Sequence, residues 1–292
     1  MRFAAWMVLA ATLLLWAGNW IVARAVRDEI APAFATVLRQ LIVLAVLLPF
    51  VRATLFSKLR QLNRREWLLL AGLGLAGGGV HLGFQWLGMH FTTAASGMLF
   101  LSTSPIFTLL LAIPLGEQVS RRQWLGVAIS FAGILVIATQ GEVQRLSFNI
   151  GDLLVCLSMA MWAAYTVLLG IRCGGLSVLE LLTMTCAFGF VFIQPWLAWE
   201  YATGRIFLPG TAGVLAVIYS AFGSLFLAHA GWSYAVRRLG AGRTGATMHL
   251  IPAFGIPLSA LLLHEYPVWY HFVGIALILS GVALSTLGRR RA

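Results

Sequence analysis

His81 and His229 carry the most versatile side chains in this sequence, and they occupy matching places 148 residues apart. Each is followed four positions later by a polar residue, Gln85 and Ser233. A spacing of four puts both members of a pair on one helical face. Imidazole can hydrogen-bond a solute, and because it titrates near neutral pH it can also pass a proton. The competing role is structural, since polar side chains in an apolar bundle tie helices together. His249 is a lesser candidate, and His90, His264 and His271 read as interfacial.

A second paired face accompanies the histidines. Thr12, Trp16 and Asn19 match Ser158, Trp162 and Tyr165 at an offset of 146. The i, i+4, i+7 spacing places each trio on one stripe of a helix. Indole and phenol rings can wall an apolar cavity while a few polar groups orient the solute. Trp6, Trp67, Trp196, Trp199 and Trp269 fit an interfacial belt instead. A third pair of faces holds Ser96, Phe100 and Thr103 before Pro105, and Thr244, Met248 and Ile251 before Pro252. Proline removes a backbone donor and frees a carbonyl, so Pro105 and Pro252 are candidate kinks. Gly77, Gly78 and Gly79 can loosen the helix beside His81, whereas Pro49 and Pro195 read as helix stops.

Other chemistries find little support. All nine acids fall at expected helix ends or in loops, which leaves no carboxylate relay within the apolar segments. Glu117 and Glu265 suit a helix N-terminus. The three cysteines lack metal-ligand spacing, so neither metal nor cofactor is expected. Gly72-x-Gly74-x-x-Gly77 has the dinucleotide spacing but lies inside an apolar helix, not between a strand and a helix.

The elements that must position these residues follow from composition. Apolar residues make up 60% of the 292-residue chain and charged residues only 10%; soluble domains carry about 25% charged residues. A chain this apolar would aggregate in water. Its apolar stretches are long enough to span a bilayer, which takes roughly 20 residues. They run over 3–23, 34–51, 67–87, 92–115, 123–140, 151–171, 177–199, 211–235, 244–263 and 268–287. The first is too long for the apolar region of a cleaved signal.

With the N-terminus inside, the inner connections hold fifteen Lys and Arg and the outer ones four, Arg24, Arg27, Arg145 and Arg205, while Arg39 lies within the second helix. The bias places both termini in the cytoplasm. The net charge of +11 therefore reads as topology and lipid anchoring, with no nucleic-acid partner.

The offset of 146 to 148 recurs along the chain: Trp16 with Trp162, Pro49 with Pro195, Glu117 with Glu265, Gly126 with Gly274, and Gly133 with Gly281. The expected fold is therefore all-α and integral to the membrane. Ten transmembrane helices form two five-helix repeats, 1–142 and 143–292. Because five is odd, the second repeat is inverted, an architecture that places binding sites at the repeat interface.

Two five-helix repeats closing with Leu-Gly-Glu (115–117) or Leu-His-Glu (263–265) and then spaced glycines resemble EamA-type carriers of the drug/metabolite transporter superfamily. Within that superfamily the chain is most similar to the amino-acid exporter branch, including the YddG-type exporters. The resemblance implies a central cavity lined by helices 1, 3, 4, 6, 8 and 9. It also implies a small-molecule substrate, amino acids foremost, exported across a bacterial-type inner membrane by alternating access. One register difference stands out: Pro105 precedes Glu117 by 12 residues, and Pro252 precedes Glu265 by 13.

Two other functions compete. A multidrug or nucleotide-sugar carrier of the same fold would want buried acids or several buried cations, and only Arg39 qualifies. A membrane-embedded lipid-modifying enzyme would need a reactive cluster, for which His264, Glu265 and His271 are the only nucleus.

Overall fold

The structure, a computed structural model, describes residues 2–92, 103–116, 119–139, 141–142, 150–171, 173–206, 208–251, 253–255, 258 and 268–287. Among these residues every regular element is helical. Six helices are long and apolar enough to cross a membrane: α1 (Phe3–Ala23 within Arg2–Ala25), α2 (Pro32–Leu59), α3 (Arg64–Phe91), α6 (Ile150–Leu169), α7 (Val178–Ala202) and α8 (Thr211–Leu239). Shorter described helices are α4 (Ser104–Ala112) and α9 (Ala241–Ala246), and the remaining two are α5 (Arg121–Ala138) and α10 (Trp269–Leu287).

Helix starts follow local chemistry. Pro32 opens α2, where its missing N–H costs no helical bond. Asn63 and Glu66 form a reciprocal capping box at the start of α3, and Ser177 and Glu180 form another at α7. Outward faces carry exposed apolar side chains, including Phe50 at 82%, Leu68 at 62% and Leu215 at 61%. Such a surface is at home in hydrocarbon and would aggregate in water. Trp67, Trp199 and Trp269 are also exposed and lie near helix ends, as a belt requires.

Several boundaries differ from the sequence reading. The connection expected over 52–66 shrinks to Arg60–Asn63, because α2 continues through Arg52 to Leu59 and α3 starts at Arg64. Pro49 and Pro195 are not stops, since each lies inside a continuous helix, α2 and α7. Both prolines sit on exposed faces, where the ring has room and only one helical hydrogen bond is lost. Pro105 lies in the first turn of α4, a position where proline fits a helix without kinking it. Ser96, Phe100 and Pro252 fall outside the described residues.

Repeat-related helices α2 and α7 pack along each other, as do α5 and α10, while α1 packs on α8 and, equivalently in the other half, α6 packs on α3. The first two pairs run antiparallel. Lys58, near the end of α2, bonds Glu180, at the start of α7, at 2.7 Å. At the other end, both carboxylate oxygens of Glu200 accept from the N–H groups of Ala33 and Phe34 at 2.9 and 3.0 Å. In α5 and α10 the spaced glycines face each other in reverse order. A Cβ on Gly126 would lie 2.5 Å from the Gly281 carbonyl oxygen, and one on Gly133 2.6 Å from that of Gly274. Ser130 Oγ, between them, donates to Ile278 O at 3.2 Å. Small residues thus let two backbones touch, which is how helices associate without a hydrophobic driving force.

The connections are tied down at one end of the bundle. Lys58 also donates to Gly175 O at 3.2 Å, and Glu66 accepts from Gly174 N at 2.8 Å. Cys173 is a free thiol in that connection. Burial, reinforced by the nearby Glu66 carboxylate, pushes it up from its ordinary pKa, so it stays a small apolar group.

Candidate functional site

The two histidine helices share a local distortion. Within α3 the turns over Gly74–Val80 widen into a π-helical segment that ends immediately before His81. Within α8 the segment Ser220–Ala228 does the same and ends immediately before His229. Such widened turns recur at functional sites, because they rotate the following side chains and unsettle the backbone ladder. In α3 the glycines serve close packing as well. A Cβ at Gly77 would overlap the Tyr165 ring, and one at Gly78 would lie 2.5 Å from Thr185 O on α7.

The rings converge between the two halves. Trp162 lies at the centre. Its ring centroid is 4.9 Å from Trp16, 4.8 Å from His81 and 5.1 Å from both Tyr165 and His229. Trp16 meets Trp162 edge-on at 88°, a favoured aromatic geometry. Trp232 closes the cluster 5.1 Å from Trp16 and donates to Thr166 Oγ1 at 3.1 Å. Repeat-related Trp16 and Trp162, and repeat-related His81 and His229, are thus assembled into one group.

Hydrogen bonds fix how the histidines face. His229 Nδ1 lies 2.9 Å from the Ser224 carbonyl oxygen of its own widened turn. A carbonyl only accepts, so Nδ1 carries the proton, and in the neutral ring Nε2 is a lone pair. That Nε2 has no partner among the described residues. His81 Nδ1 lies 2.8 Å from Ser158 Oγ and 3.1 Å from Ser158 O, while Ser158 Oγ itself donates to His81 O at 2.9 Å. The same reasoning makes His81 Nε2 an acceptor. The indole Nε1 of Trp162 is a buried donor with no partner among the described residues. Trp16 Nε1, by contrast, is spent on Ser224 O at 3.3 Å.

These groups border one cavity. Trp16, Asn19 and Trp20 come from α1, His81, Leu82 and Gln85 from α3, and Met159 and Trp162 from α6. Ser224 and His229 come from α8, and Met248 and Ile251 follow α9. Its free volume is about 20 Å³, room for roughly one water, so anything larger enters only when helices part. Among the described residues no carboxylate lines it, and no cluster of His, Cys, Asp and Glu could hold a metal.

Of the residues singled out in the sequence, Trp16, Asn19, His81, Gln85, Trp162, His229 and Met248 border the cavity. Tyr165 and Ser233 stand behind this layer, their hydroxyls 3.5 Å apart. Asn19 also accepts from Ser220 Oγ at 2.7 Å, which ties α1 to the widened turn of α8. Ile251, on the third paired face, borders the cavity too, whereas Trp20, Leu82, Met159, Ser224 and Trp232 belong to none of the groups singled out by spacing. Trp232 carried a usable signal, since it lies three positions after His229 on the same face. Ser224 contributes its carbonyl through a π-helical turn, which residue type does not announce.

Comparison with known proteins agrees with this architecture. The chain is 29% identical to an uncharacterized transporter of Archaeoglobus fulgidus over 290 residues, 96% of each chain. It is 27% identical to a probable terminal-alkyne amino-acid exporter of Streptantibioticus cattleyicolor, covering 99% of this chain and 96% of that one. A probable amino-acid metabolite efflux pump of Escherichia coli is 23% identical, over 76% of this chain and 77% of its own. One solved crystal structure superimposes with a TM-score of 0.77 over 98% of both chains at 20% identity, which shows a shared fold. The sequence pattern of the EamA-like transporter family matches twice, over residues 2–139 and again over 149–287. With nearly the whole length accounted for by two copies of that pattern, the chain is a multi-pass membrane transporter that belongs to the EamA-like transporter family.

Proposed function

We propose that this transporter exports neutral amino acids and related small amphipathic metabolites by alternating access. The observation that carries the reading is the cavity itself. Equivalent side chains from both halves meet around an apolar space equipped with histidine acceptors and a tryptophan donor, and with no lining carboxylate. Acceptor nitrogens suit an ammonium group, and flat indole faces attract cations and apolar side chains alike. A zwitterion presents both needs without requiring a fixed charge pair in the wall. The printed names of two relatives, an amino-acid exporter and an amino-acid metabolite efflux pump, support the same class.

The antiparallel pairing of α2 with α7 and of α5 with α10 supports an inverted relation between halves 1–142 and 143–292. Rocking of the halves about the closed cavity would then expose it to either side in turn. The charge distribution of the connections supports an inner membrane with both termini cytoplasmic. Reconstitution into liposomes with a panel of labelled amino acids tests the reading. Saturable uptake of neutral amino acids above protein-free liposomes is expected, and no movement of any of them would overturn it.

A further inference from the structure

Arg39 is the cation that the fold hides completely. It lies within α2 with no exposed surface. Among the described residues no carboxylate is paired with Arg39. Its guanidinium lies over the Trp86 ring, 4.7 Å from the centroid. Nε donates to Ala35 O at 3.3 Å and Nη2 to Thr36 Oγ1 at 3.1 Å, both one turn back on the same helix. Among the described residues Nη1 has no partner, and neither has the indole Nε1 of Trp86 beneath it. Two buried donors therefore sit side by side with no acceptor, an arrangement that proteins rarely leave standing.

The position relates them to the cavity. Trp86 follows Gln85, a cavity residue, on α3. Trp86 packs among Ala23, Val26, Ile30, Ala216 and Val217, near the last turn of α1 and the first turns of α8. This is the end of the bundle opposite Lys58 and Glu180.

We propose that Arg39, with the Trp86 indole N–H, is a carboxylate-recognition point between the cavity and the end of the bundle formed by the α1–α2 and α7–α8 connections. A planar guanidinium fork matches the two oxygens of a carboxylate, and a neighbouring N–H adds a third donor. In the closed form Arg39 is parked on its own helix and on Trp86. When the halves part at this end, the solute carboxylate supplies the missing acceptor. This proposal rests on the amino-acid export reading and extends it: the ammonium group faces the histidines and the carboxylate faces Arg39.

The test uses matched solutes, phenylalanine and phenylalaninamide, which differ only in the carboxylate. Both are followed in proteoliposomes holding the full-length wild type, Arg39→Gln, Arg39→Lys or Trp86→Phe. Arg39→Gln is expected to raise KM for phenylalanine about tenfold or more, the scale set by losing a charge-assisted hydrogen bond. KM for the amide should hold. Trp86→Phe should shift the acid alone and by less, with Arg39→Lys in between. Equal losses for acid and amide, or no change in their ratio, would make Arg39 helix glue and overturn the proposal while leaving export intact. If Arg39→Gln fails to fold, the ratio in Arg39→Lys and Trp86→Phe decides by the same criterion. If the wild type moves another amino acid of the panel instead, that acid and its amide are compared by the same criterion, and a wild type that moves none of the panel overturns the export reading and this proposal with it.

Discussion

His81 and His229 meet the same ring: Trp162 stands 4.8 Å from the first and 5.1 Å from the second. Each histidine follows a widened turn of its helix, and each has Nδ1 held by a backbone carbonyl, Ser158 O or Ser224 O. The two anchors differ. His81 is fixed across the α3–α6 contact, whereas His229 is fixed within α8. A common orientation thus arises by two routes, and both leave Nε2 as the group that can meet a solute.

This geometry separates two amide replacements at position 229. In Asn the amide reaches about where Nδ1 lies, and in Gln about where Nε2 lies. Asn can keep the bond to Ser224 O but loses the acceptor, while Gln retains an acceptor facing the cavity. His229→Gln should therefore transport amino acids better than His229→Asn. A lost hydrogen bond to an ammonium group is worth about 1.5–3 kcal/mol, or about ten- to a hundredfold in KM. Kinetics in proteoliposomes at equal expression check this. Equal KM values for the two variants would mean that Nε2 does not touch the solute.

Trp162 carries both packing and a donor, and two substitutions split those roles. Trp162→Ala removes the ring at the centre of the cluster and should cost about 3–5 kcal/mol of stability. Thermal unfolding in detergent should show the loss. Trp162→Phe keeps a ring against Trp16 and His81 but removes Nε1. It should leave a folded protein whose transport falls without a comparable loss of stability. Wild-type transport by Trp162→Phe would reduce Trp162 to a packing residue.

Much of this site was legible as paired spacing. Duplication placed His81 with His229 and Trp16 with Trp162 at matching helical positions, and helix geometry put their polar neighbours on the same faces. What spacing did not reveal was how the helices deform. The π-helical turn of α3 packs on α7 and Tyr165 and that of α8 on α1 and α2, so a regular period of 3.6 misplaces the residues around them, Ser224 among them. Pro49 and Pro195 were misread as stops because rules drawn from water-exposed helices overstate the cost of proline on an outward face. The continuation of α2 through Arg52 and Lys58 was hidden by charges, which can sit at a membrane surface without ending a helix.

The glycine contact between α5 and α10 makes a stability prediction. A Cβ on Gly126 would lie 2.5 Å from Gly281 O and 2.7 Å from the Ser285 backbone nitrogen, so the helices must separate. Gly126→Ala should cost about 1–3 kcal/mol. Gly255→Ala, where a Cβ meets nothing within 4 Å, is the control and should leave unfolding unchanged or slightly later. Matching behaviour of the two variants would show that α5 and α10 do not pack this closely in the membrane.

Orientation can be read by labelling. Gln61, in the α2–α3 connection, and Thr203, after α7, are both exposed and lie at opposite ends of the bundle. In a background lacking Cys156, Cys173 and Cys186, Gln61→Cys should react with a membrane-impermeant thiol reagent only after cells are opened. Thr203→Cys should react in intact cells. The reverse pattern would invert the proposed topology, and labelling of both in intact cells would overturn it.

Coupling is the last point that the site addresses. The cavity has no carboxylate in its lining, and the Nδ1 protons of both histidines are committed to backbone carbonyls. Proton binding would have to occur at Nε2, the atom assigned to the solute, and a neutral imidazole there lets the empty carrier return without a proton, so the two flows are not obliged to exchange. The expected behaviour is therefore facilitated movement. Uptake into liposomes should stop when inside and outside concentrations match, and an imposed pH gradient should leave that end point unchanged. Accumulation driven by the gradient would instead make His81 and His229 the proton carriers. In that case His81→Gln and His229→Gln should each abolish accumulation while permitting equilibration, because an amide offers an acceptor but takes up no proton at these pH values.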